Sequence, residues 1–330
     1  MILCVPIFLT VLTLSGIAEV TGYIDDDKIA NTLRTKILRL ADDGKAARGK
    51  ELLEQKDRKS CDISPAAQSL LVLSPEEIYS GCAGGVVVIT SAWKSDDGEH
   101  WEVGDPATAW VLTPDGVMVT NYHVFEGAKK EEVFGVMTKS GGFHPVKEIL
   151  AADPVNDVAV FKVSGAKGLQ PLALAADESV GKRVSVISHP DGQFYSFTQG
   201  EISRYTIQRN APETPPVKYM SITADYARGS SGGPVLNDRG AVVGMVCSTR
   251  TTYYGEKGLD PDDDVQMVVK YCIPAASIRN LLKSTLALPP AHADKSGPPP
   301  EKPVIPPATA TAVEPSAPAL PAPKAEPVPE

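Results

Sequence analysis

Gly229-Ser230-Ser231-Gly232-Gly233-Pro234 sets a serine on a glycine-rich turn, where backbone N–H groups can converge beside the Ser231 hydroxyl. A serine hydroxyl is a weak nucleophile until a base takes its proton, so the run has chemical meaning only if a histidine and a carboxylate accompany it. The histidine candidate is His123 in Val119-Thr120-Asn121-Tyr122-His123-Val124, where an apolar strand runs into a turn. The carboxylate candidate is Asp157 in Asp153-Pro154-Val155-Asn156-Asp157-Val158-Ala159, at the mouth of an apolar strand, where it can fix an imidazole tautomer. Asp153, before a proline, reads as a turn former. The remaining histidines have weaker contexts: His100 and His144 in polar loops, His189 in a turn before proline, and His292 near the C-terminus.

The same glycine-rich run fits the Gly-x-Ser-x-Gly elbow of α/β-hydrolases. Chain order removes that reading, because those enzymes place serine before acid and histidine, whereas His292 alone follows Ser231 here. The texture between the motifs is also wrong for them. Short apolar, β-branched runs recur at 85–90, 109–112, 117–120, 155–163, 184–188, 235–236, 241–247 and 265–271. Turn residues such as Pro114-Asp115-Gly116, Pro190-Asp191-Gly192 and Asn237-Asp238-Arg239-Gly240 separate many of them, which predicts an all-β sandwich or barrel pair.

Flanking segments differ. Residues 1–18 are apolar with small residues at Gly16 and Ala18, the pattern of a secretory signal peptide; an uncleaved anchor is the alternative. Export to a secreted or periplasmic location is the expectation. Residues 19–73 form a charged extension, with helical spacing at Ile29, Leu33, Ile37 and Leu40, Gly44 beyond its end, and a second helical stretch near residues 50–59. It reads as a solvated helical hairpin or spacer. Ser74-Pro75-Glu76-Glu77 carries a capping-box signature, and an amphipathic helix is expected from Pro274 to about Leu286. Residues 289–330 hold 14 of the 29 prolines with many alanines, a composition that predicts a disordered tail.

A net charge of −9 with no basic cluster interleaved with aromatics argues against nucleic acid as a partner. No CxxC or HExxH spacing exists, so neither a metal nor a cofactor is expected. Cys61, Cys82, Cys247 and Cys272 allow three pairings; Cys247 with Cys272 on neighbouring strands and Cys61 with Cys82 is one arrangement, four free thiols the other.

Taken in order and spacing, the His123, Asp157 and Ser231 motifs resemble those of trypsin-like serine proteases, most closely the bacterial HtrA/Deg-type branch. Ser188-His189-Pro190-Asp191-Gly192, Gln199-Gly200-Glu201-Ile202-Ser203 and Cys272-Ile273-Pro274 extend the resemblance across residues 74–288. It implies two six-stranded antiparallel β-barrels with a cleft between them. It also implies a His123–Asp157–Ser231 triad, an oxyanion hole from the Gly229 and Ser231 N–H groups, polypeptide substrates, and a monomer or small oligomer. Asp225 precedes Ser231 by six residues, the offset of the carboxylate that gives trypsin its preference for Arg or Lys. Three departures stand out: Ala107-Thr108-Ala109-Trp110 replaces Gly-Ser-Gly-Phe, the proline-rich segment stands where a PDZ domain often follows, and Asp225 stands where that branch usually has a small residue; Ser230 also replaces its frequent asparagine. A catalytically silent, peptide-binding version of the same fold is the alternative function.

Overall fold

Val86–Lys94 (β1) shows how alternation builds the fold. Successive side chains leave a strand on opposite faces. Val87 and Ile89 enter one apolar cluster with Met118, Phe125, Phe134, Ile149 and Phe161, while Val86 and Val88 enter another with Trp110, Val119 and Val160. The first is a barrel interior and the second faces a neighbouring barrel. The computed structural model describes residues 22–44, 46–209, 214–253 and 265–283. The expected signal segment (1–18) and proline-rich tail (289–330) lie outside the described residues.

The first barrel adds Trp101–Val103 (β2), Ala107–Val111 (β3), Val117–Thr120 (β4), Val133–Thr138 (β5), Phe143–Asp153 (β6) and Val158–Val163 (β7). Its order is β1-β3-β4-β7-β6-β5, and β5 returns to β1 through Val87↔Thr138 to Ala92↔Val133, closing six antiparallel strands; β2 pairs with the far end of β1. The second barrel comprises Arg183–Ser188 (β8), Ser196–Gln208 (β9), Val217–Ile222 (β10), Pro234–Leu236 (β11), Val242–Tyr253 (β12) and Val265–Pro274 (β13). It closes in the order β10-β13-β12-β11-β8-β9. Ile187, Leu236, Val242, Met245 and Ile273 from this barrel join Val86, Val88 and Trp110 in the cluster between the two. Fully burying such side chains contributes about 1.5–3 kcal/mol each, which makes the inter-barrel seam a rigid support for whatever spans it.

The helices correct the picture of a solvated extension. Asp26–Asp43 (α1) starts where the Asp25 carboxylate accepts the Lys28 N–H (2.9 Å) and stops at Gly44, whose φ of 68° suits glycine. Leu33, Ile37, Leu40 and Ala41 are buried, and Ile37 and Leu40 pack with Ala92, Val133 and Trp101 of the first barrel. The second helical stretch is only Gly49–Leu53 (α2), after which the chain turns. Pro75–Cys82 (α3) carries the expected capping box between Ser74 and Glu77. The terminal helix is Ala275–Arg279 (α4), shorter than expected. Among the described residues no helix is long and apolar enough to cross a membrane.

All four cysteines described are free, which replaces the suggested disulfides. Cys61 bridges to Leu282, Cys82 lies against the Gly240 carbonyl, and burial pushes both thiols up to about 11.

Candidate active site

The site forms where three loops leave strands that face the inter-barrel seam. The strand β4 ends at Thr120, and His123 follows in the short 3-10 turn Tyr122–Val124. Asp157 closes the turn that enters β7. Asp153 builds this turn, its carboxylate accepting the Val155 and Asn156 N–H groups and the Asn156 side-chain amide. Asp157 itself sits at φ 55°, a left-handed conformation that aspartate tolerates better than most residues. Asn121 fastens the arrangement by donating its side-chain amide to the Asp157 carbonyl (3.1 Å).

Asp157 and His123 are joined twice. Asp157 Oδ1 accepts the His123 backbone N–H (2.8 Å), and Oδ2 lies 2.8 Å from His123 Nδ1. A carboxylate on Nδ1 selects the tautomer with hydrogen there, which leaves Nε2 as a free base. Burial lowers the His123 pKa, but the hydrogen bond and charge of Asp157, with Glu126 adding to them, prevail and raise it. Protonated His123 therefore contributes stability that is full below the unfolded value and fades as pH rises through the folded one.

Ser231 precedes β11, and its Oγ donates to the Cys247 carbonyl (3.4 Å) rather than to His123. Cys247 also turns its thiol to Asp157 Oδ2 (3.4 Å), so one residue touches both the serine and the aspartate. Burial, reinforced by the adjacent Asp157 charge, raises the Cys247 pKa and keeps the thiol protonated as a donor.

The serine loop is clamped from the opposite barrel. Thr108, in the Ala-Thr-Ala-Trp segment, donates its N–H to the Ser231 carbonyl (2.9 Å) and its hydroxyl to the Gly229 carbonyl (2.8 Å). Gly229 adopts φ 89°, and a Cβ there would overlap the His189 carbonyl oxygen, so only glycine fits. The Arg228 carbonyl accepts the Asp191 N–H (2.7 Å), and Arg228 reaches across to an ion pair with Asp105. Among the described residues neither the Gly229 nor the Ser231 N–H is used in an internal hydrogen bond. Ser230 is fully buried and bonded to Ser188 (3.0 Å), turned away from the nucleophile.

Asp225 lies apart from this network. Its exposed carboxylate pairs with Lys270 Nζ at 2.6 Å, and its carbonyl accepts the Thr198 hydroxyl. Of the other histidines, His144 is on β6 rather than in a loop. His189, expected as a turn residue, is fully buried: Nδ1 accepts the Tyr195 N–H (3.0 Å), and burial pushes its pKa down to about 3. Among the described residues no cluster of His, Cys, Asp and Glu could hold a metal ion.

Residues 107–245 match the family of trypsin-like peptidase domains. A probable periplasmic serine endoprotease of DegP-like type from Halomonas elongata is 34% identical over 154 residues, 46% of this chain and 31% of the relative. The serine protease Do-like HtrB of Bacillus subtilis is 32% identical over 163 residues, 46% of this chain and 34% of the relative. An HtrA-type protease solved with a decapeptide shares 18% identity, with a TM-score of 0.48, over 62% of this chain and 64% of that one. The chain thus spans about a third of the length of these curated relatives.

Proposed function

We propose that this chain, which carries a trypsin-like peptidase domain of HtrA/Deg type, is a serine endopeptidase that cleaves exported polypeptides. The observation that carries the reading is the continuous chain of contacts from Ser231 through Cys247 to Asp157 and His123, with two unspent N–H groups on the serine loop. In this reading Ser231 Oγ attacks the scissile carbonyl as His123 Nε2 takes its proton. The imidazolium, held by Asp157, then returns that proton to the leaving amine; water hydrolyses the acyl-enzyme by the same steps. The Gly229 and Ser231 N–H groups hold the carbonyl oxygen as it becomes negative. Such hydrogen bonds commonly tighten only when substrate is bound, which accommodates the Ser231 hydroxyl resting on Cys247.

Asp225 enters the reading as a substrate-side residue whose charge is already matched by Lys270, so it is not an unpaired anion awaiting a basic side chain. Relatives named as periplasmic endoproteases support action outside the cytoplasm.

A fluorophosphonate probe tests the chemistry, because it labels only a serine activated by its base and oxyanion hole. Labelling of the wild type that disappears in Ser231→Ala is the expected result. Equal labelling of both proteins would sink the assignment of Ser231, and absence of labelling in the wild type would favour the silent, peptide-binding version of the fold.

The raised His123 pKa adds a second expectation. His123 must be neutral to act as base, so kcat/KM on a short peptide should rise with pH through a midpoint above the ordinary histidine value of about 6.5. An acid limb at or below that value would contradict the hold of Asp157 on the imidazole.

A further inference from the structure

The turn 189–195 carries three residues at positive φ: Asp191 (49°), Gly192 (76°) and Tyr195 (60°). Left-handed conformations at non-glycine residues persist only where surroundings enforce them, and they cluster where a backbone must be aimed. Here the aim is visible. Within the turn, Gln193 N–H bonds to the Pro190 carbonyl and Tyr195 N–H to the His189 ring, which meets Tyr195 edge-on and Phe194 at a tilt. Two backbone donors leave it in different directions. Asp191 N–H goes to the Arg228 carbonyl, and Phe194 N–H goes to the Asp26 carboxylate of α1 at 2.9 Å.

A trans peptide sends its C=O and N–H to opposite sides. With the Arg228 oxygen held by Asp191, the N–H of Gly229 must lie on the side away from the turn; flipping that peptide would require the Asp191 bond to break. The turn is thus the latch that sets the orientation of the Gly229 N–H. Its other end rests on α1, a helix fastened to the first barrel by Ile37 and Leu40 and by the Trp101 Nε1 bond to Asp42 (2.8 Å). Ile29, one turn beyond Asp26, packs against the cluster that contains Phe194 and Tyr195.

We infer that Asp26 is a positioning residue for the oxyanion hole: through the Phe194 N–H it holds the 189–195 turn, and the turn holds the Arg228–Gly229 peptide in its open orientation. The N-terminal extension is thereby an intramolecular splint across the two barrels, and any event that lifts α1 lowers the reactivity of Ser231. This rests on the serine-protease reading for its catalytic consequence, but the mechanical link stands apart from it.

The test compares Asp26→Ala, which removes the acceptor, with Asp26→Asn, which keeps a carbonyl oxygen there. In hydrogen exchange of the full chain, Asp26→Ala should speed the amides of both Phe194 and Asp191, and Asp26→Asn should restore protection at both. Faster exchange at Phe194 alone, with Asp191 unchanged, would overturn the inference whether or not the protein proves to be a protease. On a short peptide, Asp26→Ala should lower kcat per titrated active site on the order of tenfold with little change in KM, and weaken binding of a peptide boronate by a similar factor; Asp26→Asn should recover most of both. Unchanged kcat and boronate affinity in folded Asp26→Ala, with wild type active, would likewise refute it. A merely structural contact would lower the melting temperature without separating kcat from KM.

Discussion

Asp157→Asn is expected to lower kcat about 10,000-fold on a peptide substrate while leaving the fold intact. The argument begins with the backbone. Asp157 occupies a left-handed conformation, φ 55°, that asparagine accepts as readily as aspartate, so the turn into β7 has no reason to move. Asn121 binds the Asp157 carbonyl rather than its side chain, and that bond survives too. What changes are the partners of His123 Nδ1 and of the Cys247 thiol, which share Oδ2. The amide cannot satisfy both the His123 backbone N–H and an Nδ1–H: with its oxygen kept on the backbone N–H, as Oδ1 is now, its NH2 faces Nδ1. The imidazole then takes the tautomer with hydrogen on Nε2, where the serine needs a base. Stability should move by less than activity, since the carboxylate contributes charge-assisted bonds of roughly 1.5–3 kcal/mol. Steady-state kinetics alongside circular dichroism and urea unfolding will separate the two. A fall of less than about 100-fold would indicate that Asp157 does not orient the imidazole.

The three motif residues could be read from sequence because each lies beside a short apolar run that announces a strand end. The runs at 117–120 and 155–163 overlap β4 and β7, and strands that end side by side bring His123 to Asp157. The link to Ser231 needed register. The Asn237–Gly240 turn pairs Pro234 with Met245, and carrying that ladder onward sets the Ser231 loop beside Cys247. Cys247 stands as a disulfide candidate in the sequence because cysteine spacing says nothing about what a thiol faces. Strands β5, β6, β9 and β10 do not stand out in the sequence: Gly135 breaks the apolar run of β5, and the other three mix polar residues among their apolar ones. Pro145 interrupts β6, which also bends at two register shifts, and most of β9 is polar, with one face exposed and the other mostly half-buried. Asp26 and Thr108 are illegible for a different reason. Their roles depend on contacts over long sequence separations, Asp26 to Phe194 spanning 168 residues, that only closure of both barrels creates.

Among the described glycines, Gly232→Ala should be the most damaging addition of a methyl group. Gly232 has φ 85°, where an alanine costs about 1–2 kcal/mol from backbone sterics alone. Its missing Cβ points at the first barrel, where an added carbon would overlap both the Thr108 carbonyl oxygen and Thr120 Oγ1. Neither can retreat cheaply: Thr120 Oγ1 donates to that same carbonyl (2.8 Å), and Thr108 N–H holds the Ser231 carbonyl. Overpacking of this kind adds about 1–3 kcal/mol, for a combined loss of about 2–5 kcal/mol in urea unfolding. Because the displaced segment is the serine loop, peptide hydrolysis should fall by at least ~100-fold, the scale of losing one oxyanion donor. Gly165 provides the control, since it shares a positive φ of 70° but has open space where a Cβ would go. Gly165→Ala should cost only the backbone share and leave kcat/KM unchanged. Equal destabilisation by the two substitutions, with equal activity, would show that the contact of the Ser231 loop with Thr108 does not hold the site together.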